Sequence, residues 1–389
     1  MRFILNYLGA STLMLLLIAT RAMALPPERE PIQVNFEPGA EYADRVRMFQ
    51  GVPSLARSPN GRLWATWYGG GVTESRENYV MLATSGNDGK TWSKVQAVLD
   101  PQPDTVRAFD PCLWLDPTGR LWLFWGQARS HATHAATWAV TTDNPDDSKP
   151  RWTGPRYLFP GIMINKPTVL KDGAWLLPTT IWHTDGSCRV FKSKDKGRSF
   201  RLIGRANVPK NQRDCDEPIL VERDEDLLLW VRTKYGIGKS ISTDGGITWS
   251  EVVPTGIPHT ASRFFVRRLA SGKLCLVKHG PIDRETARSH LTAFISNDDG
   301  KTWEGGLLLD KRRGVSYPDG IQAPDGTIYL IYDFDRQGAK TILMATFTEE
   351  DVLAKKNVSG KIRYRVLVNR ATGVNPTLKA KKTQKGSAE

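Results

Sequence analysis

The octapeptide S-T-D-G-G-I-T-W, Ser242 to Trp249, combines a polar cluster, two glycines and a terminal tryptophan. Short Ser, Thr and Asp side chains can hydrogen-bond the backbone of a tight turn, and glycine adopts the positive φ that such turns need. The tryptophan that follows returns the chain to an apolar core. The pattern S-x-D-x-G-x-T-W therefore predicts a hairpin turn that is fastened by an aromatic side chain and has a structural role.

The same pattern recurs along the chain. S-N-D-D-G-K-T-W begins at Ser296 and S-K-D-K-G-R-S-F at Ser193, while S-G-N-D-G-K-T-W at Ser85 carries Asn87 in place of the aspartate. Copies lie about 50 residues apart, and a degenerate copy from Thr141 to Trp152 fills the one double interval. A sixth unit ends near the A-T-F-T-E-E-D segment, residues 345–351.

Repeats of ~40–50 residues built from short strands are typical of β-propellers, in which each repeat forms one four-stranded blade. Six such units fit the length of this chain. The sequence therefore predicts an all-β fold, a six-bladed propeller of four-stranded antiparallel blades, over residues 42–368.

A second motif reads as a strand, a turn and a second strand, and it predicts the inner hairpin of each blade. Its six copies begin at Val52, Asp110, Lys166, Glu217, Arg263 and Tyr317. Innermost strands line the central channel, so equivalent positions converge on the axis at one face. Five of the six are charged or phenolic, and isolated buried charges are costly. We expect a polar pocket there; a self-satisfied polar plug is the structural alternative. Pro318 favours an extended backbone at Tyr317.

Strand ends and loops at the same face supply further candidates. The second strands end at Tyr68, Gln127, His183, Arg232, His279 and Asp333. The loops before the first strands add Arg107 and Asp216, and the glycine-rich loop 69–79 adds Glu74, Glu77 and Asn78. Arg232 stands out because it lies in the apolar strand L-L-L-W-V-R-T, where an unpaired arginine would be costly.

Both ends of the chain are expected to lie outside the propeller. Residues 1–24 combine Arg2, an apolar run and a terminal A-M-A, the pattern of a secretory signal peptide cleaved after Ala24. Residues 25–41 read as a lead-in, and residues 369–389 as a basic tail expected to be disordered. The mature protein is therefore expected to be secreted or periplasmic, with no membrane span.

The composition favours an acidic partner. The formal net charge is +13, which suits a polysaccharide, a nucleic acid or a lipid surface. Export and the lack of a recognisable binding motif argue against nucleic acid. The four cysteines lie far apart, which argues against a metal site: Cys112, Cys188, Cys215 and Cys275. Export permits disulfides between them, and buried free thiols are the alternative. No cofactor is implied.

The polar turns resemble the Asp-boxes of the sialidase (neuraminidase) superfamily, and the hairpin motif extends the resemblance over residues 42–368. In that family a tyrosine activated by a glutamate attacks the anomeric carbon. Sialic acid carries a carboxylate on that carbon, which would repel a carboxylate nucleophile but not a neutral phenol. The resemblance implies Tyr317 as nucleophile and Glu217 as base. It also implies that Arg232 and Arg263 bind the carboxylate.

Two positions depart from the family pattern. Q-G-V-P places Gly51 where the family has an arginine, and R-E-N-Y offers Glu77 and Asn78 near the family's acid/base aspartate. The candidates for restoring these functions are Lys166, Arg107 or Arg76 for the charge and Glu77 or Asp110 for the acid. With an arginine missing, ordinary sialosides are expected to be poor substrates, and glycans ending in uronate or sulfated sugar better ones.

These observations favour an exported, cofactor-free glycoside hydrolase that acts on the terminus of an acidic glycan. The residues expected to contact substrate are Arg263, Arg232, Lys166, Arg107, Asn78, His183 and Asp333. One alternative is a polysaccharide lyase in which Tyr317 removes a proton beside a uronate carboxylate. The other is a sugar-binding propeller without catalysis. The missing arginine and aspartate favour these alternatives over ordinary sialidase activity.

Overall fold

The computed structural model describes residues 25–101, 106–129 and 134–375. The predicted signal peptide, residues 1–24, and most of the predicted tail lie outside these ranges. The described chain is almost entirely β-structure, with a single six-residue α-helix, α1 (Glu349–Ala354). None of the helices in the described ranges has the length and apolar character to cross a bilayer.

The strands form six antiparallel sheets, one for each blade of a propeller. Blade 1 contains β1 (Val34–Asn35), β2 (Phe49–Arg57), β3 (Leu63–Gly70), β4 (Tyr79–Ser85) and β5 (Ala97–Leu99). Blade 2 contains β6 (Arg107–Leu115), β7 (Leu121–Ala128), β8 (Ala135–Thr142) and β9 (Arg156–Pro160). Blade 3 contains β10 (Thr168–Val169), β11 (Trp175–Thr180), β12 (Cys188–Ser193) and β13 (Arg201–Ala206). Blade 4 contains β14 (Ile219–Glu222), β15 (Leu227–Thr233), β16 (Gly236–Ser242) and β17 (Val253–Pro254). Blade 5 contains β18 (Phe265–Arg268), β19 (Leu274–His279), β20 (Leu291–Ser296) and β21 (Glu304–Asp310). Blade 6 contains β22 (Val315–Gln322), β23 (Ile328–Phe334), β24 (Thr341–Phe347) and β25 (Arg363–Arg370).

Within each blade the strands pair in chain order, and the first strands of most adjacent blades contact one another around the channel. Blade 1 has a fifth strand, because β1 from the lead-in pairs with β5 on the outer edge. The prediction of a six-bladed propeller is confirmed.

The polar octapeptides form the turns between the third and fourth strands of their blades. In the copy that begins at Ser242, the serine hydroxyl donates to Asp244 Oδ1 at 2.8 Å and accepts from the backbone N–H of Gly246 at 2.9 Å. Asp244 Oδ1 in turn accepts from the N–H of Thr248 at 2.9 Å. Gly246 has a φ of 94°, which an L side chain rarely adopts.

Each of these turns docks on the blade before it. A Cβ on Gly300 of blade 5 would lie 2.7 Å from Trp230 of blade 4, and one on Gly89 of blade 1 would overlap Met344 of blade 6. Asp88, next to Gly89, also accepts a hydrogen bond from the hydroxyl of Tyr329 in blade 6. The turn of blade 1 therefore closes the ring. In blade 6 the corresponding segment, residues 349–354, is α1 instead.

The tryptophans of the turns are only partly buried, so the predicted return to the core is incomplete. Trp303 packs edge-on against the buried Trp230 with ring centroids 5.7 Å apart. Trp249 remains at the edge of its cluster and donates to the carbonyl of Gly246 at 3.0 Å. Their contacts join neighbouring blades on the face opposite to the strand ends discussed below.

Buried polar groups close the channel beneath that other face. Lys166 of blade 3 forms an ion pair with Asp319 of blade 6, and the hydroxyl of Ser54 of blade 1 donates to the same carboxylate at 2.6 Å. Burial opposes ionisation of Asp319, but the charges of Lys166 and Arg263 nevertheless hold its pKa below the ordinary value. For Lys166 the structural alternative, a self-satisfied plug, is therefore correct.

Arg263 of blade 5 belongs to the same plug. Its guanidinium donates to three backbone carbonyls from three other blades: Ile164 at 3.1 Å, Pro53 at 2.7 Å and Tyr317 at 2.9 Å. The residue is 1% exposed. One side chain thus ties blades 5, 3, 1 and 6 together at the axis.

The backbone at three of the channel positions is left-handed rather than extended. Val52, Asp110 and Tyr317 have φ values of 53°, 45° and 53°, and each lies at a break in the pairing register of its strand. The extended backbone expected at Tyr317 was therefore wrong. A β-bulge inserts an extra residue into the strand and re-aims the side chains around it.

We predict that Trp303→Ala lowers the free energy of unfolding by about 2–3 kcal/mol, less than the ~3–5 of a fully buried aromatic. The partial burial of the ring is the reason for the smaller value. Chemical denaturation measures the change. Because the turn lies opposite the pocket, a change in ligand affinity at unchanged stability would contradict this placement.

We also predict that Asp319→Asn costs about 3–5 kcal/mol, because it leaves the Lys166 ammonium buried without its partner. A matched control is Asp325→Asn, which removes an exposed ion pair to Lys361 and should change stability by less than about 1 kcal/mol. Equal effects of the two substitutions in urea denaturation would show that the axial ion pair does not hold the channel.

Candidate active site

A tyrosine, an arginine and a glutamate meet above the axial plug. Arg232 of β15 donates through Nη1 to the hydroxyl of Tyr317 at 3.0 Å and to Glu217 Oε1 at 3.2 Å. Its Nη2 contacts Asp214 Oδ2 at 2.9 Å. Tyr317, Glu217 and Arg232 are 7%, 2% and 5% exposed. The guanidinium thus holds the phenol and the buried carboxylate on one side of the channel.

Burial and neighbouring charges determine the protonation of this group. Burial, reinforced by the charge of Glu217, raises the pKa of Tyr317 above its ordinary value of 10, although Arg232, Arg336 and Arg288 oppose the shift. The phenol is therefore neutral at pH 7. Glu217 Oε2 is buried and has no hydrogen-bond partner within the described part of the chain, so it is placed to accept a proton.

Two further arginines lie against the ring of Tyr317 and line a pocket of about 510 Å³ together with Glu74. Arg336, from the loop after β23, places its Cζ 4.2 Å from the ring centroid, and Arg288, from the loop after β19, places its Cζ at 5.4 Å. Another pocket, of about 980 Å³, lies beside the lead-in, and none of the residues that contact Tyr317 lines it. The pocket lined by the two arginines that lie against Tyr317 is therefore the candidate site.

Asp110 is a buried carboxyl group on the innermost strand of blade 2. Burial, with added repulsion from Glu74 and Glu217, raises its pKa from the ordinary 3.8 to about 7, although Arg107 and Arg263 oppose the shift. A carboxyl group with this pKa carries its proton over much of the neutral range. Asp110 therefore has the property required of a general acid.

Comparison with known proteins gives the family. A model described as BNR repeat-like domain matches residues 61–330. The chain belongs to this BNR repeat-like family. A sialidase from Micromonospora viridifaciens is 26% identical over 354 residues, which cover 79% of this chain and 53% of that protein. The chain thus spans about half the length of the curated relative that it matches.

Solved structures share the fold of this BNR repeat-like chain. The Hadza microbial sialidase Hz136 matches with a TM-score of 0.63 and 17% identity, over 80% of this chain and 69% of the other. The intramolecular trans-sialidase from Ruminococcus gnavus matches with a TM-score of 0.60 and 16% identity, over 78% of this chain and 95% of the other. At these identities the likeness extends to the fold alone.

Several of the predicted site residues do not reach the pocket. Lys166 and Arg263 belong to the axial plug, where Lys166 Nζ and both Nη atoms of Arg263 are bound to protein atoms. Glu77 is exposed and lies back against Gly71, and His183 is exposed in the turn after β11. The structure thus places Arg263 and Lys166 in the plug and Glu77 outside the lining of the pocket, and their predicted roles as substrate contacts and as the acid stay untested.

Three other predicted residues position the loops of the site. Arg107 donates to Asn78 Oδ1 at 3.0 Å, and Asn78 Nδ2 donates to the carbonyl of Thr73 at 3.0 Å within the glycine-rich loop. Asp333 is fully buried; its carboxylate accepts from the N–H of Val52 at 2.8 Å and from Arg336 Nε at 2.9 Å. These residues support the pocket wall rather than lining it.

The sequence reasoning missed Arg288 and Arg336. Both lie in loops between the second and third strands, beyond the ends of β19 and β23 at His279 and Phe334. The available signal was position alone, since every such loop of this BNR repeat-like propeller opens on the same face. In the described ranges no group of three His, Cys, Asp or Glu side chains could hold a metal ion, and all four cysteines are free thiols.

Asp110 generates a pH prediction. Below pH 3.8 the carboxyl group is protonated in both states; above it the unfolded chain ionises while the folded chain keeps the proton until about pH 7. Stability should therefore decline across this window, by at most about 1.4 kcal/mol per pH unit. Asp110→Asn should remove this part of the decline in denaturation curves recorded at pH 4 to 7. Parallel profiles for the two proteins would show that Asp110 is ionised at neutral pH.

Proposed function

We propose that this protein is an exported glycoside hydrolase that releases a carboxylate-bearing sugar from the terminus of an acidic glycan. The observation that carries the proposal is the Arg232 guanidinium, 3.0 Å from the Tyr317 hydroxyl and 3.2 Å from Glu217. The distant sialidase relative supports the reaction class. The proposal of export rests on the sequence of residues 1–24 alone.

The first step is attack by Tyr317. Its oxygen forms a bond to the anomeric carbon while its proton moves to the unpartnered Oε2 of Glu217. The glycosidic C–O bond breaks, and the departing oxygen takes a proton from Asp110. Arg232 donates a hydrogen bond to the phenol oxygen and stabilises the negative charge that develops there.

The second step is hydrolysis of the glycosyl–tyrosine bond. Asp110, now ionised, takes a proton from water as the water oxygen attacks the anomeric carbon. Glu217 returns its proton to the departing phenol oxygen. Two displacements at one carbon retain the anomeric configuration. The pKa of Asp110, about 7, suits a group that must both give and take a proton.

The charges around the tyrosine support a carboxylate on the reacting sugar. A neutral phenol is needed as nucleophile where a negative group on the anomeric carbon would repel a carboxylate. Arg232 contacts the hydroxyl and Arg288 lies against the ring; both are suited to bind such a group, since guanidinium–carboxylate pairing is strong and directional. The net charge of +13 would also favour the approach of an acidic glycan.

We predict that Tyr317→Phe lowers kcat by several orders of magnitude while folding and ligand affinity stay nearly unchanged. Glu217→Gln should have a similar effect, because a phenol with a raised pKa needs a base at neutral pH. The two losses should not add, since the residues act as one unit. Steady-state kinetics on an aryl sialoside and on acidic oligosaccharides measure the effects.

The product distinguishes the proposed reaction from its alternatives. A lyase would leave a new C=C bond that absorbs in the ultraviolet, and a hydrolase product would not. Binding without turnover in the unmodified protein would identify a sugar-binding propeller. Full activity of Tyr317→Phe would exclude Tyr317 as nucleophile or base.

A further inference from the structure

The innermost strand of blade 1 has no side chain at one position beside Arg336, which lines the pocket. This position is Gly51, and a Cβ built there would lie 2.7 Å from Nε, 2.8 Å from Cδ and 2.9 Å from Cγ of Arg336. Carbon atoms do not approach this closely, so the side chain of Arg336 already fills the space next to Gly51. An arginine from blade 6 therefore occupies the place that a side chain from blade 1 would take.

Arg336 is held in that place by protein carboxylates. Its Nε donates to Asp333 Oδ2 at 2.9 Å, and its Nη1 contacts Glu74 Oε1 at 2.9 Å. The side chain is 11% exposed. Burial would lower the pKa of Arg336, but Asp333, with smaller contributions from Tyr317, Tyr68 and Glu74, raises it instead, so the group stays charged.

Four guanidinium groups consequently surround Tyr317. That of Arg263 lies 5.5 Å from the ring centroid and is bound in the axial plug, and the other three come from different blades. Arg232 of blade 4 bonds to the hydroxyl, while Arg288 of blade 5 and Arg336 of blade 6 lie against the ring at 5.4 Å and 4.2 Å. Arg288 has no carboxylate partner within the described ranges, and its Nη2 donates to the carbonyl of Ala261 at 3.1 Å. A ligand carboxylate at this point would complete the charge balance.

We infer that Arg336 binds the substrate carboxylate together with Arg232 and Arg288, and that it replaces from blade 6 the arginine that is absent at Gly51. This inference rests on the proposed function. It also removes the reason for expecting ordinary sialosides to be poor substrates, because the positive charge thought missing is present. The substrate class is a sugar whose carboxylate lies next to the reacting carbon.

The test compares an acid with its neutral ester. The probes are a 2,3-unsaturated sialic acid and its methyl ester, and isothermal titration calorimetry gives Kd for each. For the unmodified protein we expect the acid to bind more tightly. Arg336→Gln should raise the Kd of the acid by roughly 100-fold and that of the ester by less than about threefold, since only the acid pairs with the guanidinium.

Two variants provide the controls. Arg313→Gln removes the same charge from an exposed arginine near the pocket wall, and it should change neither Kd by more than about threefold. Arg336→Lys keeps the charge but not the paired N–H donors, so its affinity for the acid should lie between those of the unmodified protein and Arg336→Gln. Melting temperatures check that each variant is folded.

An exchange of positions tests the replacement itself. Gly51→Arg alone should lower the melting temperature, because its side chain overlaps Arg336. Adding Arg336→Ala should relieve the overlap and restore at least part of the preference for the acid over the ester. Restored stability without restored preference would show that the two positions share space but not function, and this would overturn the replacement.

The outcomes separate the two proposals. If the unmodified protein prefers the acid and Arg336→Gln weakens both probes equally, Arg336 only supports the pocket wall and the inference falls while the proposed function stands. If the unmodified protein does not distinguish the acid from the ester, the carboxylate-bearing substrate itself is wrong and both proposals fall.

Discussion

The hydrogen bonds that the Arg263 guanidinium donates at the propeller axis are the interaction on which the rest of this structure depends. A propeller has no helix or sheet to fill its axis, so the inner strands meet there with polar backbone groups to satisfy. Arg263 donates to carbonyls of three other blades, one of which is the carbonyl of Tyr317. The same side chain therefore closes the channel and fixes the backbone of the residue that is proposed to react. The plug and the candidate site are therefore joined through one side chain, that of Arg263.

The fold could be predicted from the sequence because short local motifs determine its turns. Each polar turn has serine, aspartate or asparagine, and glycine at set positions, and four copies indicate both the blade and its period. The polar positions of the inner hairpins were equally legible, and they led to Tyr317, Glu217 and Asp110. The sequence did not indicate how deep in the channel each side chain lies. Whether a charged residue such as Arg263 points into the plug or into the pocket depends on bulges and contacts between blades, which no local pattern encodes.

The loops account for the remaining difference between expectation and structure. Arg288 and Arg336 lie beyond the strand ends, in segments without a motif, and only the closed ring brings them to Tyr317. The sequence showed that an arginine is missing at Gly51, but it did not show that Arg336 is placed to replace it. A positive charge can be supplied to the same point in space from the first blade or from the last, because the two are neighbours across the closure of the ring.

That closure has a consequence for how the chain is made. The turn of blade 1 docks on Met344 and Tyr329 of blade 6, more than two hundred residues later in the sequence. During synthesis, the first blade emerges long before its partner exists. Its docking surface and the axial ion pair stay incomplete until the last blade arrives, and contacts this distant in sequence form slowly. An early blade is therefore exposed to wrong strand pairing for most of the chain's emergence, until the last blade, residues 315–370, completes the ring that protects it.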